Sequence, residues 1–453
     1  MAHVTESKKS CTVNPLKMSQ PLGASYAYLG MNRCMPVMHG SQGCTAFGLV
    51  LMVRHFREAI PLQTTAMNEA TTVLGGSDNI EKAILNIKQR ANPQLIGICS
   101  TGLTETRGED VMGDLKLIRS RHPELGETRV VYCSTPDYVG AFQDGWAAAV
   151  LAMIQSLVEG PAPVRIDNQI NVLAGSHLTV ADLEELREMI EAFGLYPVLL
   201  PDVSGSLDGH VPEEFSPATL GGTTLQQVAA LSASVLTLAV GEQMRGCAIE
   251  LEMRTGVGYE VFDRLTGLGA SDRLLATLSR LSGQPVPLRY RRQRSQLVDA
   301  MLDGHFFFGG KKVAIGAEPD LLWGMTNWLH EMGCEIVAAV TTTRSPLLAE
   351  VPAEEVLLGD LEDLEARAVG CDLLLTHSHG RQMAERLAIP FLRIGLPLFD
   401  RLGAMHRLSI GYRGTRDLVF EVGNLFMASE HRMQADSWPL PASSQAHASV
   451  IAE

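Results

Sequence analysis

Short, continuously apolar runs recur along this chain, each followed by a segment whose apolar positions repeat with helical spacing and then by a second apolar run. Residues 93–100 (PQLIGICS) predict a buried strand, 110–121 a helix and 129–133 (RVVYC) a returning strand. The second set begins at 170–175 (INVLAG). Thr179 can cap the helix that follows, with Asp182 in its first turn. Leu183, Leu186, Ile190 and Phe193 lie on one face, Gly194 ends the helix, and 196–200 (YPVLL) returns as a strand. The third set runs from 312–315 through a helix over 320–332 and Gly333 to 335–340, with later strands at 371–376 and 391–394. Strands that are apolar throughout are buried on both faces, as in parallel sheets covered by helices. The pattern therefore predicts an α/β protein of three Rossmann-like domains with mostly parallel sheets, over 1–162, 163–304 and 305–430. Pro161-Ala162-Pro163 marks the first exit and residues 304–310 the last entry.

Other segments qualify this outline. Residues 286–303 predict a long helix whose Arg289, Arg291, Arg292 and Arg294 form a solvated face or an interdomain contact. The apolar stretches 146–158 and 228–240 read as buried helices, because they carry Gln or Ser and fall short of a membrane span of about 20 residues. The tail 431–453 is rich in Ser, Ala and Gln and is expected to be mobile. The formal charge of −14 argues against a general nucleic-acid surface and against an anionic membrane. Residues 1–14 lack the apolar segment of a secretory signal, which suggests a cytoplasmic protein. No glycine-rich dinucleotide fingerprint follows the first strands and no P-loop is present, so nucleotide chemistry belongs elsewhere.

The candidate chemistry centres on Cys44. Its segment, 38–47 (MHGSQGCTAF), is a glycine-rich turn opening a helix, the setting of a metal or redox ligand, yet no CxxC or second close ligand accompanies it. Without further information a packing role competes. The eight cysteines are irregularly spaced and do not form a disulfide framework. Cys99, Cys133, Cys334 and Cys371 lie in or beside strand-like runs and read as small core residues. His39 reads as a turn or interface residue, His377 and His379 as polar residues at the end of a strand, and Trp323 and Trp328 as core or interface anchors. No residue is assigned a catalytic role.

Three motifs carry a resemblance: 13–24 (VNPLKMSQPLGA), 39–44 (HGSQGC) and 54–58 (RHFRE). They resemble the N-terminal region of the β-type subunits of the nitrogenase component 1 family. Residues 61–67 (PLQTTAM) with 100–106 (STGLTET), 201–210 (PDVSGSLDGH), 293–303 (QRSQLVDAMLD) and 359–365 (GDLEDLE) resemble the branch that serves as a scaffold for maturing the iron–molybdenum cofactor. The resemblance covers nearly the whole chain except its two ends and implies a nitrogenase β-subunit-like fold.

In the catalytic β subunit three cysteines help hold an eight-iron cluster at the interface with the α subunit. The resemblance places Ser19, Cys44 and Leu103 at those positions, so one thiol remains. It implies that Cys44 is one ligand of a [4Fe-4S] cluster shared across the interface, and that the partner NifE supplies the other three cysteines. Neither Cys11 nor Cys34 matches a ligand position. The glycines at 40 and 43 are expected to let the backbone approach such a cluster. The resemblance also implies an α2β2 heterotetramer with NifE and a cofactor precursor delivered by NifB and held mainly by the partner chain. The nitrogenase iron protein would be the docking partner and the catalytic component of nitrogenase the acceptor. A catalytic redox β subunit of a nitrogenase-like reductase is the alternative.

Overall fold

A computed structural model describes residues 1–436. The final helix, Gly411–Asp436, carries the chain past 430, and the remainder of the expected tail, 437–453, lies outside the described residues. Three parallel sheets organise the chain. The first has the spatial order Gln63–Thr64, Cys34–His39, Leu95–Ser100, Arg129–Cys133. The second runs Tyr196–Leu200, Gln169–Leu173, Leu236–Val240, Tyr259–Phe262. The third runs His3–Glu6, Glu355–Leu358, Glu335–Thr341, Lys312–Gly316, Leu373–Thr376, Phe391–Arg393. The α/β class with parallel sheets is thus observed.

Two elements differ from the sequence pattern. The stretch 228–240 is not one buried helix: a helix ends at Ala230 and Leu236–Val240 is an inner strand of the second sheet. A long apolar run has no period that separates helix from strand. The break is made by a distant residue, since Asn171 Nδ2 donates to the Leu231 carbonyl (3.0 Å) and Ser234 Oγ donates to Asn171 Oδ1 (2.6 Å). Cys34–His39, an inner strand of the first sheet, is fully buried but contains Pro36, which argues against a central strand when only the sequence is read.

The first residues cross to the third sheet. His3–Glu6 pairs in parallel with Glu355–Leu358 and extends that edge. Lys9 then reaches Asp360, Glu362 and Asp363, and the Asn14 carbonyl accepts from Leu361 N–H (2.8 Å). Residues 15–19 are therefore anchored at their start by the C-terminal part of the chain.

One continuous core joins the three units. Helix Gln20–Leu29 lies against helix Phe142–Leu157, with Tyr26 stacked near Phe142 and Trp146. Trp146 Nε1 donates to the Ala174 carbonyl (2.8 Å) and so ties the first sheet's helices to the second sheet. The arginine-bearing helix is Leu288–Phe308; Arg289 pairs with Glu188 and Arg294 with Asp272, so part of its basic face is a contact within the fold. Trp328 is fully buried, as expected of a core anchor. No described helix is long and apolar enough to cross a membrane.

The three units meet at the start of helix Pro319–Glu331. Asp320 N–H donates to Gln143 Oε1 (3.2 Å), and the backbone and side-chain N–H groups of Gln243 donate to Asp320 Oδ2 (3.0 Å each). Beside them, burial pushes the Glu318 carboxyl up to about 8 and that of Asp320 up to about 6. Burial lowers His55, His177 and His377 to about 4, so the folded rings are neutral near pH 7 and the unfolded rings become so by about pH 7.5, a unit above their ordinary value. Between that pH and 8, folded Glu318 retains a proton that the unfolded chain has lost. Stability therefore falls as pH rises through this window. The urea midpoint of the chain is expected to drop from pH 7.5 to 8.5, the buried thiols adding to the fall at its upper end, and Glu318→Gln to make that drop smaller. An equal slope in the variant would take Glu318 out of the account.

Candidate iron–sulfur site

The first sheet's parallel strands end beside one another, and helices start directly from their carboxyl ends, where open α/β sheets place their ligand crevices. Cys34–His39 passes through Gly40 and Ser41 into helix Gln42–Phe56, which puts Cys44 third in its first turn. Leu95–Ser100 passes through Thr101, the N-cap, into helix Gly102–Arg107, whose second residue is Leu103. Ser19 caps helix Gln20–Leu29, its Oγ accepting from Leu22 N–H (3.4 Å). Ser19, Cys44 and Leu103 are thus all at helix starts, where unsatisfied N–H groups and the helix dipole favour negative charge.

Ser19 and Cys44 open onto one cleft of about 290 Å³, together with Lys17, Thr101, Asp137 and His379. Leu103 is half-buried and is not part of its lining. The serine oxygen is already engaged as a helix cap, which leaves Cys44 as the soft donor. Cys44 is exposed, and its sulfur lies 3.5 Å from Ser41 Oγ. Beyond it on the same helix, Phe47, Val50 and Val53 are exposed, and Tyr138 and Val139 are also exposed. Such apolar exposure beside a thiol marks a surface suited to another protein chain.

The two glycines do different things. A Cβ on Gly43 would meet nothing nearer than Ser41 Oγ at 3.9 Å, so the backbone there is open to a ligand. A Cβ on Gly40 would stand 2.3 Å from Thr101 Oγ1, and this glycine is needed for packing rather than for approach to a cluster. Thr101 Oγ1 donates to the His39 carbonyl (3.0 Å), and Thr104 Oγ1 does the same (3.2 Å), latching the two strand ends together. The His39 ring is fully buried between Thr65 Oγ1 and Glu109 Oε2 (2.9 Å each), and burial lowers its pKa. It has a structural role.

Cys11 is exposed on the N-terminal arm, while Cys34, Cys99, Cys133, Cys247, Cys334 and Cys371 are buried. Burial pushes the Cys99 thiol up to about 12 and the Cys371 thiol up to about 11, as for inert core residues. Among the described residues, no group of three or more His, Cys, Asp or Glu side chains is arranged to hold a metal ion. An exposed thiol, an open glycine and converging helix starts give the cleft one soft donor. His379, whose spacing from His377 could suggest a metal pair but which reads as a polar residue at a strand end for want of further ligands, joins this cleft only through the fold.

The chain belongs to the nitrogenase component 1 type oxidoreductase family, which it matches over residues 19–427. Within that class it is similar to the nitrogenase iron-molybdenum cofactor biosynthesis protein NifN of Bradyrhizobium diazoefficiens. The two are 56% identical over 440 residues, covering 96% of this chain and 93% of the relative. It is also 53% identical to the NifN protein of Nostoc sp. over 430 residues, covering 95% and 96% respectively. Among solved structures it is similar to nitrogenase Cp1 at pH 6.5, with 30% identity and a TM-score of 0.88 over 96% of this chain and 98% of that one.

Proposed function

We propose that this chain is the β-like subunit of a scaffold on which the iron–molybdenum cofactor of nitrogenase is matured, and that it works in the cytoplasm. The observation that carries the reading is the single exposed thiol of the cleft, Cys44, with Ser19 capping a helix beside it and Leu103 outside the lining. A four-iron cluster takes about four ligands, normally thiolates. Cys44 supplies one, and NifE supplies the other three across an interface that covers the exposed face of Phe47, Val50 and Val53. Two copies of each chain form the heterotetramer. The precursor, donated by NifB, is cargo held mainly by NifE. The nitrogenase iron protein docks on the complex, and the finished cofactor passes to the catalytic component. The names of the relatives support this role over that of a catalytic redox subunit.

The test is co-expression with NifE. A heterotetramer carrying about four irons per heterodimer, apart from precursor, is the expected result. A colourless monomer that ignores NifE would sink the proposal. Robust dinitrogen reduction by the complex with iron protein, reductant and ATP would shift the assignment to the catalytic β subunit.

A further inference from the structure

A cavity of about 90 Å³ lies where the three units meet and shares no lining residue with the Cys44 cleft. Tyr26 and Phe142 reach it from the first unit, His177 and Thr179 from the second and Glu318 from the third. Residues between 393 and 409 supply a further wall. Leu178, Leu321, Met325, Leu396 and Leu418 make much of the lining apolar. An apolar cavity with a few inward polar groups is the usual form of a small-molecule site.

The polar groups of this wall are satisfied by the fold, with one exception. Ser176 Oγ donates to Gln243 Oε1 (3.0 Å), Thr179 Oγ1 to the Arg407 carbonyl (2.9 Å) and Ser409 Oγ to Asp182 Oδ2 (2.9 Å). His55 Nδ1 accepts from Leu398 N–H (2.8 Å), and its Nε2 lies 2.9 Å from Met405 Sδ. Tyr26 is the exception. Its ring is held between Phe56, Phe142 and Trp146, and only 2% of the residue is exposed. Among the described residues its hydroxyl has no hydrogen-bond partner. Unlike the Tyr290 hydroxyl it is not sealed in, so the surface it keeps faces the cavity it lines. Leaving a buried hydroxyl unpaired is unfavourable, and an occupant of the cavity would relieve it.

The wall also selects by charge. Arg393 is paired with Asp400 and Arg407 with Glu421 (2.8 Å each). Burial keeps Glu318 protonated near pH 7 and His55 and His177 neutral. No unpaired charge of the lining is left to compensate a charged guest, whose desolvation would be costly. Water fits poorly too, because an ordered water needs two to four polar partners and most of those here are already engaged.

We propose that this cavity binds a small uncharged organic molecule bearing an oxygen acceptor, the class of short alcohols, ketones and amides, with the Tyr26 hydroxyl donating to that oxygen. Its volume, about three times the share of one water in the liquid, limits the guest to a few heavy atoms. Such a guest touches all three units and belongs to a site separate from the one that holds Cys44.

Saturation-transfer NMR on the full chain tests this, with propan-2-ol and acetate as probes of equal heavy-atom count. Transfer to propan-2-ol with a millimolar Kd, and none to acetate, is expected. Tyr26→Phe keeps the ring and breaks no hydrogen bond within the fold. It should leave the urea midpoint unchanged while weakening propan-2-ol several-fold, up to about tenfold. Ala404→Leu adds carbons at the cavity wall and should abolish the transfer. Absence of transfer to propan-2-ol leaves the cavity to water and overturns the proposal. Transfer to acetate of equal strength overturns the uncharged class. Transfer unaltered by Ala404→Leu places the probe elsewhere, and transfer unaltered by Tyr26→Phe removes the anchor; either result also overturns it.

Discussion

Cys44→Ala is expected to strip the complex of most of its interface cluster, lowering both the iron count per heterodimer and the electron paramagnetic signal of the four-iron centre. Loss of a partner that merely supports a metal ligand costs about 10–100-fold in metal affinity, and loss of the ligand itself should cost at least as much. The folded chain should scarcely notice. Cys44 is exposed, its sulfur has one weak contact, to Ser41 Oγ, and surface substitutions of this kind usually stay within about 0.5 kcal/mol. The separation of the two effects is what makes the measurement informative. Unchanged urea unfolding of the isolated chain with a large loss of iron from the complex identifies a ligand, whereas parallel loss of both identifies a packing residue. Unchanged iron and an unchanged signal would remove Cys44 from the ligand set.

The second large effect lies behind the site, where helix Gln20–Leu29 crosses helix Phe142–Leu157. A Cβ on Gly145 would stand 1.9 Å from the Gln20 carbonyl oxygen, and one on Gly23 would stand 1.8 Å from the Phe142 carbonyl oxygen. Backbone meets backbone at both points, so no side chain can turn aside and the helices must part. In an ordinary helix interior Gly→Ala stabilises by about 0.5–1 kcal/mol. Here the sign should reverse, and Gly145→Ala should destabilise by about 3 kcal/mol, at the upper end of the usual cost of overpacking. The same helix is capped by Ser19 and buries Tyr26 against Trp146, so parting it would also disturb the cleft wall. Chemical denaturation of the variant checks this, and a neutral or stabilising result would show that the helices are not locked at this crossing.

These effects differ in how far they can be read from sequence. The strands Arg129–Cys133 and Tyr196–Leu200 are bounded in the structure where their apolar runs begin and end. Thr179 caps its helix with the Asp182 carboxylate returning the bond, as the local pattern predicts. The position of Cys44 at a helix start was equally legible, because a glycine-rich turn before an apolar run is a local signal. Cys34–His39 was not, since Pro36 and the flanking polar residues hide a strand that only its burial between Gln63–Thr64 and Leu95–Ser100 makes stable. The segment 228–240 was misread because its apolar continuity fits both a helix and a strand, and Asn171, far away in sequence, decides where the helix stops.

The sequence by itself determined three strand–helix–strand units, the caps that start their helices and a single thiol in a ligand-like setting. Each of these follows from periodicity or capping, which act over a few residues. Only the tertiary structure decided that residues before Asn14 join the last sheet, that Ser19 and Cys44 share a cleft, that Gly40 serves Thr101, and that His379 reaches that cleft from the third sheet. Those outcomes depend on which strand ends lie together and which polar atoms find partners after packing. The pairs involved are separated by tens to hundreds of residues, and no local pattern of hydrophobic and polar positions encodes their meeting.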